Sequence, residues 1–363
     1  MAEDVRIAVI STPFVPVPPP RYGGTELVVA GLCGELGARG HEVVLYATGD
    51  SAPPGPVHLR ALYPTAVWPP DPTRELAHCA FALADLLAEG GVDLVHAHAA
   101  PALACARRLG VPLVYTVHHH RDEALCELYR AVQDPGVTMV CISERQRELL
   151  ADACAARVVH HGLDARRYPL GAGTGGYAAF LGRFAREKGV HVALDVARAA
   201  GVPLRLGGAP HWRDEAYFAA EVAPRLERRR AARWLGEVGH APKVALLSGA
   251  VATLFPIDWE EPFGLVMVES MLAGTPVLAF PRGAAGEVVE DGVTGWLVPD
   301  AEAMADRLRW LHRGGRFDRA RCRRRAALRF GVGRMVDGYL AAYATALGRR
   351  AGAHARGSRA RLP

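Results

Sequence analysis

The sequence predicts an α/β protein with two doubly wound, parallel-sheet domains, and three observations lead to this. The chain has 363 residues, half of them hydrophobic, which exceeds the ~250 to 300 residues at which a single hydrophobic core stops growing. Short apolar runs alternate with segments in which apolar residues recur every three or four positions, as in a parallel sheet with helices on both faces. The same alternation begins again halfway along the chain, so we expect a second Rossmann-like sheet.

The first predicted domain covers residues 1–165. Its apolar runs predict strands at residues 6–10, 42–47, 93–96, 112–117, 138–142 and 157–160. The segments between them predict helices at residues 25–39, 73–89, 101–109, 122–132 and 144–154. The Pro-rich stretch at residues 53–72 is long for such a domain, and we expect it to be irregular.

The second predicted domain covers residues 166–330. Strands are predicted at residues 177–181, 204–206, 232–235, 252–255, 276–280 and 296–298, and helices at residues 190–200, 242–247, 265–272 and 301–312. The glycine-rich run at residues 169–176 has no apolar periodicity and is the best candidate for a linker. Two such domains are expected to face each other across a cleft, with ligands at the carboxyl ends of the strands.

Charge is distributed unevenly along the chain. Residues 1–165 carry a net charge of −7, residues 166–348 a net +7, and residues 349–363 five arginines without an acid. A basic second half suits an anionic ligand, although the Arg-rich stretches 228–230 and 321–325 are equally compatible with solvated helix faces. The tail at residues 349–363 has almost no large apolar residues, so we expect it to be disordered.

Targeting and redox signals are few. No apolar run approaches the ~20 residues of a membrane span, and the N-terminus lacks the pattern of a signal peptide, so we expect a cytoplasmic protein. The seven cysteines form no C-x-x-C pair. This argues against both a disulfide framework and a zinc knuckle.

The most informative motif is E-P-F-G-L-V-M-V-E-S-M-L-A-G-T-P, which begins at Glu261 and contains a second carboxylate at Glu269. It follows a predicted buried strand and enters a helix, so backbone amides near Phe263, Gly264 and Leu265 should point out of the helix N-terminus. Such an end binds anions or hydroxyl groups. Glu269 lies among apolar residues, where a carboxylate needs hydrogen-bond partners such as those of a ribose diol.

A second motif is F-L-G-R-F-A-R-E-K-G, which runs from a strand into a helix. It places Arg183 and Lys188 on one loop at the strand's carboxyl end. Two cations there could stabilise the charge that develops on a departing diphosphate. We expect Arg186, in the same loop, to be a solvated side chain.

These motifs, with Y-G-G-T-E near the start and E-D-G-V-T-G-W-L-V, resemble the family 4 retaining glycosyltransferases of the GT-B fold, over residues 6 to about 347. The resemblance implies that Glu269 holds the nucleotide ribose, that Glu261 faces hydroxyls of the donor sugar, and that Arg183 and Lys188 grip the diphosphate. It also implies that a C-terminal helix at residues 331–348 crosses back to the first domain.

The resemblance assigns further residues to the donor site. Gly23 and Gly24 resemble the family's glycine loop near the phosphates, and Val238 and Gly239 the loop that borders the base. His118, in Y-T-V-H, resembles the histidine near the donor sugar's primary hydroxyl and the reaction centre. His161 departs from the pattern, because many relatives have Asn-Gly where this chain has His-Gly.

The resulting hypothesis is a hexosyltransferase that uses a UDP- or GDP-sugar and needs no metal or other cofactor. Glu261 is the only carboxylate obviously placed beneath the sugar, and the resemblance puts it at hydroxyls, which favours front-face attack over a double displacement. Because the first domain is acidic, docking on an anionic membrane is disfavoured, and we expect a soluble small-molecule or saccharide acceptor. The sequence leaves the base, sugar, acceptor and oligomeric state open.

Several alternatives are weighed against this hypothesis. A metal site could be built from His96, His98, His118, His119 and His120, but no cysteine or carboxylate completes it. The same fold could instead epimerise or hydrolyse the nucleotide sugar. A nucleic-acid or partner-binding protein would use the arginines, yet few aromatic residues lie among them to stack on bases. A dinucleotide oxidoreductase would need G-x-G-x-x-G spacing, which is absent.

Overall fold

The computed structural model describes residues 5–227 and 231–359, and the side chains of residues 350–359 are not included. The predicted Arg-rich cluster at residues 228–230 therefore lies outside the described residues. The chain divides into two compact units. The first unit is Met1–Pro19, Gly23–Gly162 and Val332–Pro363, and the second unit is Pro20–Tyr22 and Leu163–Gly331.

The first unit contains a parallel sheet of seven strands among the described residues. The strands are β1 Arg6–Ile10, β2 Glu42–Tyr46, β3 Val57–Arg60, β4 Leu94–Ala97, β5 Leu113–Val117, β6 Val137–Cys141 and β7 Ala156–Val158. Their order in the sheet is β3-β2-β1-β4-β5-β6-β7. The order reverses between β1 and β4, which is where open α/β sheets bind ligands.

The helices of the first unit cover both faces of this sheet. They are α1 Gly24–Ala38, α2 Pro72–Glu89, α3 Glu123–Ala131 and α4 Glu144–Leu149, with a 3₁₀ helix at Ala100–Cys105. The central strands β4, β5 and β6 are buried along their whole length. This explains their nearly continuous apolar sequences, because a strand covered on both faces has no polar side.

The second unit repeats the arrangement with six parallel strands among its described residues. They are β8 Ala178–Leu181, β9 Leu204–Gly207, β10 Ala232–Trp234, β11 Thr253–Phe255, β12 Val277–Ala279 and β13 Gly295–Leu297, in the order β10-β9-β8-β11-β12-β13. The reversal here lies between β8 and β11. The prediction of two Rossmann-like parallel sheets is confirmed.

The helices of the second unit follow its strands. They are α5 Val190–Ala200, α6 Glu215–Tyr217, α7 Ala223–Glu227, α8 His240–Gly249, α9 Leu265–Leu272, α10 Ala285–Val288, α11 Ala301–His312 and α12 Arg319–Phe330, with a π-helical turn at Phe218–Val222. Of the cluster at residues 321–325, Arg323 binds the carbonyls of Leu272 and Ala165, and Arg325 pairs with Glu290. These two arginines are therefore engaged in contacts within the unit.

Two predictions about irregular segments are wrong. The Pro-rich stretch contains β3, an edge strand paired with β2 whose residues alternate between half-buried and exposed. The glycine-rich run at residues 169–176 is not a linker, because its backbone is bonded into the second unit. The amides of Gly171, Gly173 and Gly175 donate to the carbonyls of Ala273, Ser248 and Gly249 at 2.9, 3.1 and 2.9 Å. A Cβ on Gly171 would lie 2.2 Å from the Ser248 carbonyl oxygen, so glycine is needed for close approach rather than for flexibility.

The C-terminal helix α13, Val332–Arg359, belongs to the first unit and packs against α1 and β5. Its Val336, Tyr339 and Tyr343 are buried. The sequence predicts disorder from residue 349, whereas the helix continues to Arg359. The side chains of residues 350–359 and all of 360–363 lie outside the described part, so the rest of the tail stays a prediction. In the part of the chain that the structure describes, no helix is both long and apolar enough to cross a bilayer.

Candidate functional site

The loops at the reversal point of the second sheet carry the motif residues. Arg183 follows β8 by two residues, and Lys188 ends a short 3₁₀ turn, Arg186–Lys188. Glu261 lies in the loop between β11 and α9. Parallel strands present their carboxyl ends at one edge of the sheet, so this topology brings the two motifs together even though they are far apart in sequence.

Glu261 forms a buried ion pair with Lys188. Its Oε2 accepts a short hydrogen bond from the Lys188 ammonium and another from the indole Nε1 of Trp259 at 2.9 Å. The ammonium also lies 4.4 Å from the centre of the Trp259 ring, close enough for a cation–π interaction. Among the described residues, none forms a hydrogen bond with Oε1 of Glu261. One carboxylate oxygen is thus held in place while the other is available to a ligand.

Glu269 repeats this arrangement one helical turn inside α9. Its Oε1 accepts a hydrogen bond from the Tyr168 hydroxyl at 2.8 Å and a short one from the ammonium of Lys243 in α8. The side chain is only 4% exposed, so the ammonium supplies the compensation that a buried carboxylate requires. No hydrogen bond to its Oε2 is present in the described part of the chain. The sequence contains two lysines, and each is paired with one of the motif glutamates.

The N-terminus of α9 has the predicted geometry. Gly264 is the N-cap residue with φ of 83°, a left-handed conformation that favours glycine. A Cβ there would lie 2.6 Å from Met267 and 3.1 Å from Phe255. Glycine has no side chain that could cap the helix. The first backbone amides of α9, which begins at Leu265, therefore receive no hydrogen bond from their N-cap residue's side chain. Phe263 is buried against Phe330, with ring centres 5.8 Å apart, so only its backbone can serve a ligand.

Arg183 has carboxylate neighbours that the sequence analysis missed. It forms a short ion pair with Glu187, and its Nε lies 3.8 Å from Oδ2 of Asp214. Arg183 lies just before the 3₁₀ turn Arg186–Lys188 that contains Glu187, so the two side chains belong to one short loop. The signal for Glu187 was therefore present in the sequence, whereas nothing local pointed to Asp214. An anion that binds Arg183 has to compete with Glu187.

The remaining predicted residues of the second unit lie before α8. Gly239 is the N-cap residue of this helix, and its carbonyl accepts a hydrogen bond from the amide of Lys243 at 3.0 Å. Val238 is half-buried, and its side chain lies next to Gly207 at the end of β9. The loop predicted to border the base therefore leads directly into the helix that supplies Lys243.

The glycine loop of the first unit follows β1 and opens α1 at Gly24. A Cβ on Gly23 would lie 2.7 Å from Pro19 and 3.0 Å from a carboxyl oxygen of Glu26. Glu26 is buried, accepts a hydrogen bond from the Thr12 hydroxyl at 2.6 Å, and has its pKa raised by burial. The predicted phosphate loop thus contains a carboxyl group that the sequence analysis quoted but did not assign.

His118 directly follows β5 and belongs to a cluster of histidines. Its Nε2 is 2.7 Å from Nδ1 of His98, which follows β4. Its ring stacks on His161 with centres 5.2 Å apart. His96 is bonded to the hydroxyls of Tyr343 and Thr116 at 2.7 and 2.8 Å. Burial lowers the pKa of His96 and of His118 to about 3, so these rings are neutral at physiological pH.

The other two histidines of Y-T-V-H-H-H lie outside this cluster. His119 accepts a hydrogen bond from the Tyr129 hydroxyl at 2.8 Å, and its Nδ1 lies 2.7 Å from the carbonyl of His120. His119 is therefore hydrogen-bonded both to α3 and to the neighbouring residue of its own loop. No group of three or more His, Cys, Asp or Glu side chains is placed to hold a metal ion in the residues that the structure describes.

Comparison with sequence families matches both halves of the chain. Residues 22–167 match the model described as Glycosyltransferase Family 4, and residues 168–329 match Glycosyl transferases group 1. The chain is 33% identical over 233 residues to the glycogen synthase of Mycobacterium tuberculosis, covering 56% of this chain and 55% of that protein. It is 31% identical over 255 residues to the phosphatidyl-myo-inositol mannosyltransferase of the same species, covering 61% and 65%. The chain thus spans between half and two thirds of the length of these relatives.

A solved structure resembles the protein over most of its length. AviGT4, a glycosyltransferase involved in avilamycin A biosynthesis, has 25% sequence identity and a TM-score of 0.71, covering 95% of this chain and 98% of its own. At this coverage the likeness extends over both units.

Proposed function

Since the chain belongs to glycosyltransferase family 4, we propose that it transfers a hexosyl group from a nucleotide-diphosphate sugar to a hydroxyl of a soluble acceptor, with retention of configuration. The observation that carries the proposal is the pair of buried glutamates, each with one oxygen bound by a lysine and the other available. Such a pair offers two fixed acceptors to a ligand rich in hydroxyl groups.

Glu269 serves the nucleotide. With Oε1 bound by Lys243 and Tyr168, its Oε2 accepts hydrogen bonds from the ribose hydroxyls. Hydrogen bonds to a charged acceptor contribute about 1.5 to 3 kcal/mol each. The loop Val238–Gly239 leads into the helix of Lys243 and borders the base of UDP or GDP.

Glu261 and the cations serve the sugar diphosphate. Oε1 of Glu261 accepts hydrogen bonds from hydroxyls of the sugar, while Lys188, Arg183 and the first amides of α9 surround the phosphates. These groups place positive charge where the leaving group becomes negative, which is the electrostatic term that most accelerates transfer. No metal ion is required in this scheme.

The reaction follows a front-face course. The acceptor hydroxyl oxygen forms the new bond to the anomeric carbon on the side from which the phosphate departs. The bond from that carbon to the phosphate oxygen breaks, and this oxygen receives the acceptor's proton. Lys188 and Arg183 stabilise the nucleoside diphosphate that leaves. Glu261, held by Lys188 and Trp259, keeps its charge for the hydroxyls of the sugar.

We further propose that His118 contacts the primary hydroxyl of the sugar and that Gly23 and Gly24 approach the phosphates. The net charge of −7 over residues 1–165 favours a neutral or cationic acceptor over an anionic lipid surface. Sedimentation with vesicles that contain anionic lipid, with and without residues 349–363, tests this acceptor class. Binding by the shortened protein with higher activity on the vesicles would contradict it.

A donor screen tests the function itself. UDP-, GDP-, ADP- and dTDP-sugars are added in turn, and the melting temperature is measured for the wild type and for Glu269→Gln. A true donor at a hundredfold excess over its Kd should stabilise the wild type by about 2.7 kcal/mol and the variant by clearly less. The variant Glu302→Gln, which changes an exposed glutamate of α11, is the matched control. Proton NMR of the product then reports the anomeric configuration, and free sugar as the only product would indicate a hydrolase.

A further inference from the structure

The loops that follow β4 and β5 contain a hydrogen bond between two histidine rings. Nδ1 of His98 and Nε2 of His118 are 2.7 Å apart, and the rings are tilted with centres 5.0 Å apart. Both rings are neutral because burial lowers their pKa far below the usual value. A neutral imidazole carries one N–H, so one ring donates and the other accepts.

The surroundings of His98 decide which ring donates. His98 is 4% exposed, and its Nε2 is buried without a hydrogen-bond partner. The neighbouring ring of His96, 4.2 Å away, already uses both of its nitrogens on Tyr343 and Thr116. If His118 donated, His98 would carry its proton on Nε2, where no acceptor is available. A buried N–H without an acceptor costs about 1 to 3 kcal/mol, and such orphaned donors are rare in proteins.

We propose that His98 is a positioning residue that donates from Nδ1 to Nε2 of His118 and so fixes the proton of His118 on Nδ1. His118 is half-buried at the carboxyl end of β5, and its Nδ1 makes no hydrogen bond to any described residue. The ring therefore presents one N–H donor of fixed direction to a ligand oxygen. This identification rests on the proposed function, in which that oxygen is the primary hydroxyl of the donor sugar.

The consequence is a division of roles between the two strand ends. His118 touches the ligand, whereas His98 acts only through His118. A sugar hydroxyl can accept a hydrogen bond from this N–H and still donate its own proton to another acceptor. A cation cannot accept the bond, so the arrangement suits a hydroxyl. The stacked ring of His161 restricts rotation of His118 and keeps the N–H in one direction.

Nitrogen-15 NMR of the ligand-free full-length protein tests the proton position directly. With histidine labelled on both ring nitrogens and His118 assigned through His118→Gln, the spectrum should show the proton of His118 on Nδ1. A proton on Nε2 would overturn the proposal. This measurement needs no donor and no activity, so its failure is distinguishable from failure of the proposed function.

Two nearly isosteric variants test the positioning role. The amide Nδ2 of His98→Asn can occupy the position of Nδ1 and donate, and turnover should stay within about threefold of wild type. The carboxylate of His98→Asp only accepts, which moves the proton of His118 to Nε2. A lost neutral hydrogen bond corresponds to a roughly 3- to 10-fold loss of turnover, and a donor without the primary hydroxyl should erase the difference between the variants. Equal losses in both, with the wild-type proton still seen on Nδ1, would refute the positioning role.

Discussion

The carboxyl-end edges of the two parallel sheets have similar topology and opposite chemistry. At the first, His98 and His118 follow adjacent strands as neutral rings bonded to each other. At the second, Glu261 and Glu269 are buried carboxylates, each neutralised by a lysine. Parallel topology therefore determines where side chains meet, while the burial and pairing of those side chains determine what they can bind. Neutral donors suit hydroxyl groups, and fixed charges suit a nucleotide diphosphate.

The largest expected difference between the two regions is in how much folding stability each loses at acidic pH. Burial holds the pKa of His96 and His118 at about 3, and lowers the pKa of His98 and His161 well below the usual value. The unfolded chain binds these protons near pH 6.5. The contribution of these neutral rings to the free energy of unfolding is therefore fully present above pH 6.5. It is lost as the pH falls toward 3, by up to about 1.4 kcal/mol per pH unit for each histidine.

Urea unfolding at pH 7.5, 6 and 5, followed by hydrogen-exchange mass spectrometry, checks this prediction for each unit separately. The first unit should lose several kcal/mol by pH 5. The slope of unfolding free energy against pH reports the protons taken up on unfolding. His161→Asn should reduce it by up to one proton, whereas His58→Asn, at a side chain that is 70% exposed, should not. A first unit that is equally stable at pH 7.5 and 5 would contradict the neutral cluster.

The second region should be most sensitive to loss of a lysine. Lys243→Met leaves the carboxylate of Glu269 buried with Tyr168 as its remaining partner, and breaking a buried pair in this way costs about 3 to 5 kcal/mol. The double variant Lys243→Met with Glu269→Leu removes both charges and should recover most of this stability. Denaturant midpoints of the two variants make the comparison. Equal denaturant midpoints for the single and double variants would show that the Lys243 ammonium does not offset the cost of burying the Glu269 carboxylate.

Lys188 should affect turnover as well as stability, because its ammonium pairs with the buried Glu261 and, in the proposed scheme, also meets the leaving phosphate. Removing one preorganised group that stabilises a developing charge costs roughly 100- to 1,000-fold in kcat, and Lys188→Ala should fall in this range. Lys188→Arg retains the charge and should lose less. Steady-state rates with the donor found in the screen measure both, and a loss below about threefold for the alanine variant would remove Lys188 from the mechanism.

The smallest expected effect is that of metal removal. Because cations of the chain already meet the diphosphate in the proposed scheme, activity should be unchanged after treatment with EDTA. The assay compares rates before and after chelation and after addition of manganese or magnesium. Complete loss that either metal restores would reverse the assignment of the leaving-group charge to Lys188 and Arg183.

Much of the fold was predictable because strand and helix periods are local signals. The helices Val190–Ala200, Leu265–Leu272 and Ala301–His312 have the predicted bounds, and the ends of the predicted strands lie within two residues of those observed. The edge strand β3 was missed because prolines flank a run of four residues that is only half-buried. The glycines of residues 169–176 were misread because composition does not distinguish flexibility from close approach of two backbones.

The sequence identified the residues of the candidate site but not which of their side chains contact each other. The motif identified Glu261, Glu269, Arg183 and Lys188, yet Lys188 and Glu261 are 73 residues apart in sequence. Nothing in the local sequence connected Lys243 to Glu269. Likewise His98 and His118 lie 20 residues apart and follow successive strands. Such pairs depend on sheet order and side-chain direction, which no local pattern specifies.

Calorimetric binding of the nucleoside diphosphate without its sugar tests the central claim most directly. This ligand meets only the ribose and phosphate contacts, so Glu269→Gln should weaken its Kd by roughly 10- to 100-fold, as expected for losing hydrogen bonds to a charged group. Glu261→Gln should change the Kd by less than about threefold, because Glu261 serves the absent sugar. Equal effects of the two substitutions, or no effect of either, would contradict the separate roles of the paired glutamates.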